Sequence, residues 1–177
     1  MKVLKIIGIG IIGIIAFLLL IALFIPNDYT VSVSTTIDKP RQVVFDYAKL
    51  IKNQEDYSIW VMQDPNLKLD YQGMDGTVGF KASWDSKDDN VGEGSQQITA
   101  VSEKQINVDL HFVRPMKGEA KVSTFFESIS ANETKITVDF YGHSSYPMNL
   151  MNFVGAKFIT DAETQNLANL KKILENQ

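Results

Sequence analysis

Three successive segments between Gln105 and His143 alternate apolar and polar residues in one shared parity, and few architectures accommodate that. In Gln105–Arg114, Ile106, Val108, Leu110 and Phe112 alternate with Asn107, Asp109 and His111. Glu119–Ile129 sets Ala120, Val122, Thr124 and Phe126 against Lys121 and Ser123. Thr134–His143 sets Ile136, Val138 and Phe140 against Thr137 and Asp139. A strand turns successive side chains to opposite faces, so each segment has one dry and one wet face. Antiparallel sheets carry that asymmetry. The intervening Arg114–Gly118 and Ser130–Glu133 are turns by composition. Aligning the dry faces puts Leu110 opposite Val122 and Val122 opposite Phe140. Val108, Thr124 and Val138 form the next row, and Ile106, Phe126 and Ile136 the one after. A one-residue slip would put the whole apolar set in water.

Such a sheet needs a cover, and the rest of the chain supplies candidates. Tyr29–Ile37 alternates as a first strand. Asp38 is a candidate N-cap and Pro40 an early position for a helix carrying Val43, Val44, Tyr47 and Leu50. Asn53–Trp60 reads as a second short helix or turn. Leu67–Gln72 is a short strand, and Val78–Asp85 follows with Val78, Phe80, Ala82 and Trp84 on one side. Gly92–Val101 is a further strand, its even positions being Gly92, Gly94, Gln96, Ile98 and Ala100. The last segment, Asn149–Asn176, lacks proline and predicts one long helix. Met151, Val154, Phe158 and Ala162 share one of its faces, and Leu167, Leu170 and Leu174 another.

The N-terminus is of a different kind. Ile6–Ile25 is an apolar run of twenty residues, which at 1.5 Å per residue spans roughly 30 Å, the hydrocarbon thickness of a bilayer. A cleaved signal peptide has a shorter apolar core and small residues before the cut, whereas this run ends Leu23-Phe24-Ile25-Pro26. A buried soluble helix would have a polar face, which is missing. The reading favoured is an uncleaved signal anchor over residues 1–26. Lys2 and Lys5 then hold the short N-terminus in the cytoplasm, making a single-pass membrane protein with residues 27–177 as one domain on the non-cytoplasmic side.

Residues 27–177 hold 15 of the 17 basic and all 21 acidic residues, a net of −6, which leaves no footprint for nucleic acid. With no cysteine, disulfide scaffolds and thiolate metal sites are excluded. No zinc-type spacing, Gly-x-Ser-x-Gly elbow or phosphate loop occurs, and no cofactor or metal is expected.

The order strand, two short helices, six strands, long terminal helix resembles the START-like (SRPBCC) superfamily, which includes polyketide cyclase/dehydrase-like proteins. The resemblance covers about Tyr29 to Asn176. It is carried by Ile37-Asp38-Lys39-Pro40 with Val43-Val44-Phe45, by Tyr57-Ser58-Ile59-Trp60, and by Gly76-Thr77-Val78-Gly79-Phe80 through Trp84. It implies an α+β helix-grip fold, a curved seven-stranded antiparallel sheet around the C-terminal helix with a cavity between them. It also implies a hydrophobic small molecule or lipid as partner. The anchor is a departure from the simplest soluble members.

If the dry face lines a cavity, the expected ligand-binding residues are Trp60, Phe80, Trp84, Gln96 and Ile98, then Leu110, Phe112, Val122, Thr124 and Phe126. Val138 and Phe140 follow, and Met151, Val154 and Phe158 would close over them. The alternative is a solid core. Ala82, Gly92, Gly94, Ala100 and Ala120 are small residues on the dry parity that leave volume free. Gln96, between Ala82 and Leu110, needs a ligand, a water or a neighbour, unless it lies solvated at the mouth. His111 and His143 fall on the wet parity. The predicted inner face offers no Asp, Glu, His or Lys for acid–base catalysis, although Tyr47, Tyr57 or Asp161 can intrude from helices. Hydrophobic-ligand binding is thus preferred over a cyclase/dehydratase-like enzyme and over a protein-interaction module with a closed cavity.

Overall fold

The computed structural model describes residues 2–177, so Met1 of the expected 1–26 anchor lies outside them. An apolar helix, α1 (Lys2–Ala22), leads into β1 (Asp28–Ile37). Three short helices follow: α2 (Arg41–Ala48), α3 (Gln54–Tyr57) and α4 (Ile59–Gln63). Six strands then run in sequence: β2 (Lys68–Gln72), β3 (Lys81–Asp85), β4 (Glu93–Val101), β5 (Gln105–Arg114), β6 (Gly118–Ser130) and β7 (Glu133–His143). A 3-10 turn, Met148–Met151, opens α5 (Asn152–Glu175). The seven strands form one antiparallel sheet in the order β1-β7-β6-β5-β4-β3-β2. Sequential hairpins build it from β2 to β7, and β1 closes the β7 edge. The α+β helix-grip architecture expected from the sequence is what the chain adopts.

Parity decides which face is dry. Ile106 and Val108 of β5, Ala120 and Phe126 of β6, and Ile136, Val138 and Phe140 of β7 are all buried. Between β6 and β7 the rows are as the alternation predicts: Val122↔Phe140, Thr124↔Val138 and Phe126↔Ile136. Between β5 and β6 they are displaced by two residues, to Val108↔Val122 and Leu110↔Ala120. A two-residue slip keeps every side chain on its face, so burial cannot choose between the registers. The turn chooses, and this hairpin closes at Phe112↔Gly118.

Other departures are local. Asp38 does not cap α2, whose N-cap is Pro40 without a side-chain bond; the Asp38 amide donates instead to Glu175 Oε1 at 2.8 Å. Strand β3 begins at Lys81 because Gly79, at φ +91°, turns the chain first, and Val78 is left exposed. A register shift between Ile98 and Ala100 reverses parity at Thr99, so Ala100 faces solvent and Val101 packs on the core. That is the usual effect of a bulge.

Helix α5 crosses the dry face. Ala162, Leu167, Leu170 and Leu174 are buried, and Ala156 and Ile159 pack on Val31, Ala120 and Phe140. The inward stripe is therefore 156-159-163-167-170-174, one continuous face at helical spacing. The two successive faces read from the sequence become one inner stripe and one outer one, with Met151 and Val154 on the outside. Gly155 lies within the continuous helix and does not interrupt it.

Candidate functional site

The two ends of the sheet–helix gap are filled differently. At one end Ile37, Phe45, Phe80, Ile98, Phe126 and Leu174 belong to one buried cluster, with the Phe126 ring edge-on to Phe45 at 5.3 Å. Beside it a cavity of about 580 Å³ lies between the sheet and α5, lined along the helix from Phe158 to Leu170. The sheet contributes Trp84, Gln96, Leu110, Phe112, Val122, Thr124, Val138 and Phe140 to its wall. The helices contribute Tyr57, Trp60, Phe158, Ile159, Glu163 and Asn166.

Ten of the fifteen residues read from the sequence line this space. Phe80, Ile98 and Phe126 have the right parity but each is only 1% exposed in the solid end, where no void reaches them. Met151 and Val154 are 51% and 57% exposed on the outer face of α5. The glycines do not supply the emptiness. A Cβ on Gly94 would lie 2.5 Å from the Trp84 ring, so that ring already occupies the room. Gly92 serves the backbone instead, at φ +66° against the Arg114 carbonyl.

Short helices are tied over the cavity by polar bonds. Asn166 Oδ1 accepts from the Ile59 amide at 2.8 Å, and Asn169 Nδ2 donates to the Tyr57 carbonyl at 3.0 Å. Gln96 Nε2 donates to Gln54 Oε1 at 2.7 Å. The inward amide of the sheet is thus satisfied by α3. Trp60 and Phe158 meet edge-to-face at 5.0 Å, and Phe158, at 52% exposure, stands at the rim.

Sequence reading missed Glu163. It lies on the inner stripe of α5 and lines the cavity. Burial raises its carboxyl above the ordinary glutamate value, and a hydrogen bond from Asn166 only partly opposes the shift. Nearby, burial pushes the Tyr57 phenol up, and the Glu163 charge adds to the effect. The signal was the spacing: Glu163 occupies the one stripe position between Ile159 and Leu167 at i+4 from each. Asp161, by contrast, pairs outside with Lys157 at 2.6 Å. His111 and His143 are exposed and face Glu119 and Asp28 at 3.7 and 2.7 Å. Among the described residues no group of His, Cys, Asp or Glu can hold a metal ion. The acidic loop is held by Arg114, bonded to Asp85 at 2.6 Å and Glu93 at 2.8 Å.

A carboxyl whose folded-state value is raised contributes stability that is complete below its unfolded value and is lost as pH climbs through the folded one. Glu163→Gln is therefore expected to melt higher than the parent above the raised value. The gap should close as pH falls toward 4.5, the ordinary glutamate value. Thermal melts across that range check this; a gap that widens on acidification would contradict it.

No protein-family model and no curated protein matches the sequence. Solved structures do match in fold. Norcoclaurine synthase from Thalictrum flavum, in complex with dopamine and hydroxybenzaldehyde, superposes with a TM-score of 0.67 at 11% identity over 85% of this chain and 88% of its own. Ara h 8.0201 gives 0.58 at 12% identity, over 85% and 99%. Protein MLL2253 from Mesorhizobium loti gives 0.62 at 16% identity, over 84% and 98%. The chain thus has the helix-grip fold of the START-like (SRPBCC) proteins, and at these identities the likeness concerns fold alone.

Proposed function

We propose that this protein binds an amphiphile, a lipid or another apolar small molecule with one polar end, between its sheet and α5 while tethered to a membrane by α1. The observation that carries the reading is the unfilled, largely apolar space of about 580 Å³ between the sheet and α5. Small-molecule sites are typically about 300–1,000 Å³, mostly apolar with a few placed polar groups. Val122, Val138, Phe140 and Leu110 offer the apolar wall. Glu163, Tyr57 and Asn166 offer a polar end where a hydroxyl or amine is received. Residues Val3–Ala22 form a helix long and apolar enough to cross a membrane, which supports the tether. The positive charges at Lys2 and Lys5 favour residues 27–177 on the non-cytoplasmic side.

The test is native mass spectrometry and solvent extraction of the full chain held in amphipol, followed by titration with a fluorescent fatty acid. A retained or absorbed ligand at one per chain is expected. A bare mass and no saturable uptake would remove the reading.

Glu163 beside Tyr57 also favours a second reading, acid–base chemistry on the bound molecule, since a carboxyl raised by burial suits proton transfer nearer neutral pH. Turnover of a ligand abolished by Glu163→Gln, with binding retained, would select that reading.

A further inference from the structure

Two asparagines fasten the end of α1 to the start of α5. Asn149 Nδ2 donates to the carbonyls of Ala22 and Ile25, both at 2.8 Å. Asn152 Nδ2 donates to those of Pro26 at 2.9 Å and Asn27 at 3.2 Å. Asn149 and Ala22 are each 1% exposed. The last carbonyls of a helix have no intrahelical partner, and at the edge of a hydrocarbon layer water cannot be relied on to satisfy them. Here the amides of Leu23, Phe24 and Ile25 reach back to the carbonyls of Leu20, Ile21 and Ala22. The asparagines add donors to Ala22 and to Ile25, Pro26 and Asn27 beyond the helix, holding Ala22–Asn27 at four points. The junction is a fixed joint.

Around that joint the surface is apolar. Leu23, Phe24, Tyr146, Met148, Met151, Phe153, Val154 and Phe158 are all exposed, Phe153 to 86%. Elsewhere in the domain the exposed large apolar residues come from scattered elements, such as Met74, Val78 and Ile129. Between Tyr146 and Phe158 the only charge is Lys157, which is paired with Asp161. An exposed apolar patch of this density marks an interaction surface. A helix that shows Phe, Met and Val on one side suits the headgroup–acyl boundary.

We propose that this surface lies in the interfacial layer of the phospholipid bilayer crossed by α1, with Phe158 as the threshold between that layer and the cavity. The proposal rests on the reading of α1 as a membrane span. Continuity with α1 selects the bilayer over a protein partner: the patch begins at the carbonyls where the spanning helix ends, and the joint holds it there. Phe158 belongs both to the patch and to the cavity wall, so an acyl chain entering beside it stays on apolar surface throughout.

The natural chain has no cysteine, so single cysteines can carry a nitroxide. Ile14→Cys, Phe153→Cys and Ile129→Cys are made in the full chain and placed in phosphatidylcholine nanodiscs. Depth is read from relaxation by oxygen against a water-soluble nickel chelate. The label at 14 is expected in hydrocarbon, that at 153 below the phosphates, and that at 129 in water. A label at 14 in hydrocarbon with one at 153 in water would overturn this proposal alone. A label at 14 in water would overturn the spanning reading and this proposal with it. Shielding at 153 accompanied by label–label dipolar coupling would assign the patch to a second copy of the chain, also overturning it. Phe153 lies outside the cavity wall, so Phe153→Asp is expected to slow fatty-acid transfer from the nanodisc at least about tenfold without altering saturation. Unchanged transfer kinetics would remove the threshold.

Discussion

Phe126→Ala is expected to destabilise the domain by about 3–5 kcal/mol, the usual cost of truncating a large buried aromatic. Its ring is 1% exposed and edge-on to Phe45, with Ile37, Val44, Leu170 and Leu174 in the same cluster. Nothing mobile can collapse into the hole, because the sheet and the packed half of α5 meet there. For a domain of about 150 residues this lowers the melting temperature by roughly 6–20 °C. Circular dichroism melts of the full chain check it. A loss below about 1 kcal/mol would mean that the solid end is looser than its burial indicates.

Two residues along the same strand face the expected outcome reverses. Val122 and Thr124 line the hollow and keep accessible surface within it. Enlarging side chains in a well-packed core costs about 1–3 kcal/mol in strain, but here the added rings enter free volume. Val122→Phe with Thr124→Phe is therefore expected to leave the melting temperature within a few degrees of the parent. The same pair should weaken fatty-acid uptake more than about tenfold, because it removes the space a chain would occupy. Equilibrium titration measures this. Undiminished uptake by a folded double variant would place the ligand elsewhere. The boundary between core and cavity thus falls between Thr124 and Phe126.

That boundary explains what the sequence could and could not disclose. Alternation from Ile106 to Phe140 reports which side of the sheet is dry, since the even-numbered apolar residues of all three strands share one face. It does not report how far the covering helix stands off. Phe126 and Val122 therefore read alike, though one is packed and the other lines a void. Phe80 and Ile98 fail for the same reason. Met151 and Val154 were misplaced because their apolar spacing resembles a buried stripe. The true inner stripe was masked by Glu163, a charged residue on a face that must otherwise be greasy. Ala100 was misassigned because a bulge at Thr99 leaves no mark in composition. Gly94 was taken as a gap, while Trp84 fills it from the neighbouring strand. Gln96 was placed correctly between Ala82 and Leu110; its partner Gln54 sits 42 residues away, a distance that periodicity does not bridge.

The chain contains two tryptophans, Trp60 and Trp84, and both border the same hollow. Trp84 is held by its Nε1 donating to the Val91 carbonyl at 3.2 Å and by Phe112 against its ring, whereas Trp60 leans on Phe158 at the rim. Intrinsic emission excited through indole consequently originates at the wall of a single space, from two half-buried rings. Unlabelled protein thus carries its own optical probe of that space, and quenching by iodide and by acrylamide reads how open its wall is to solvent.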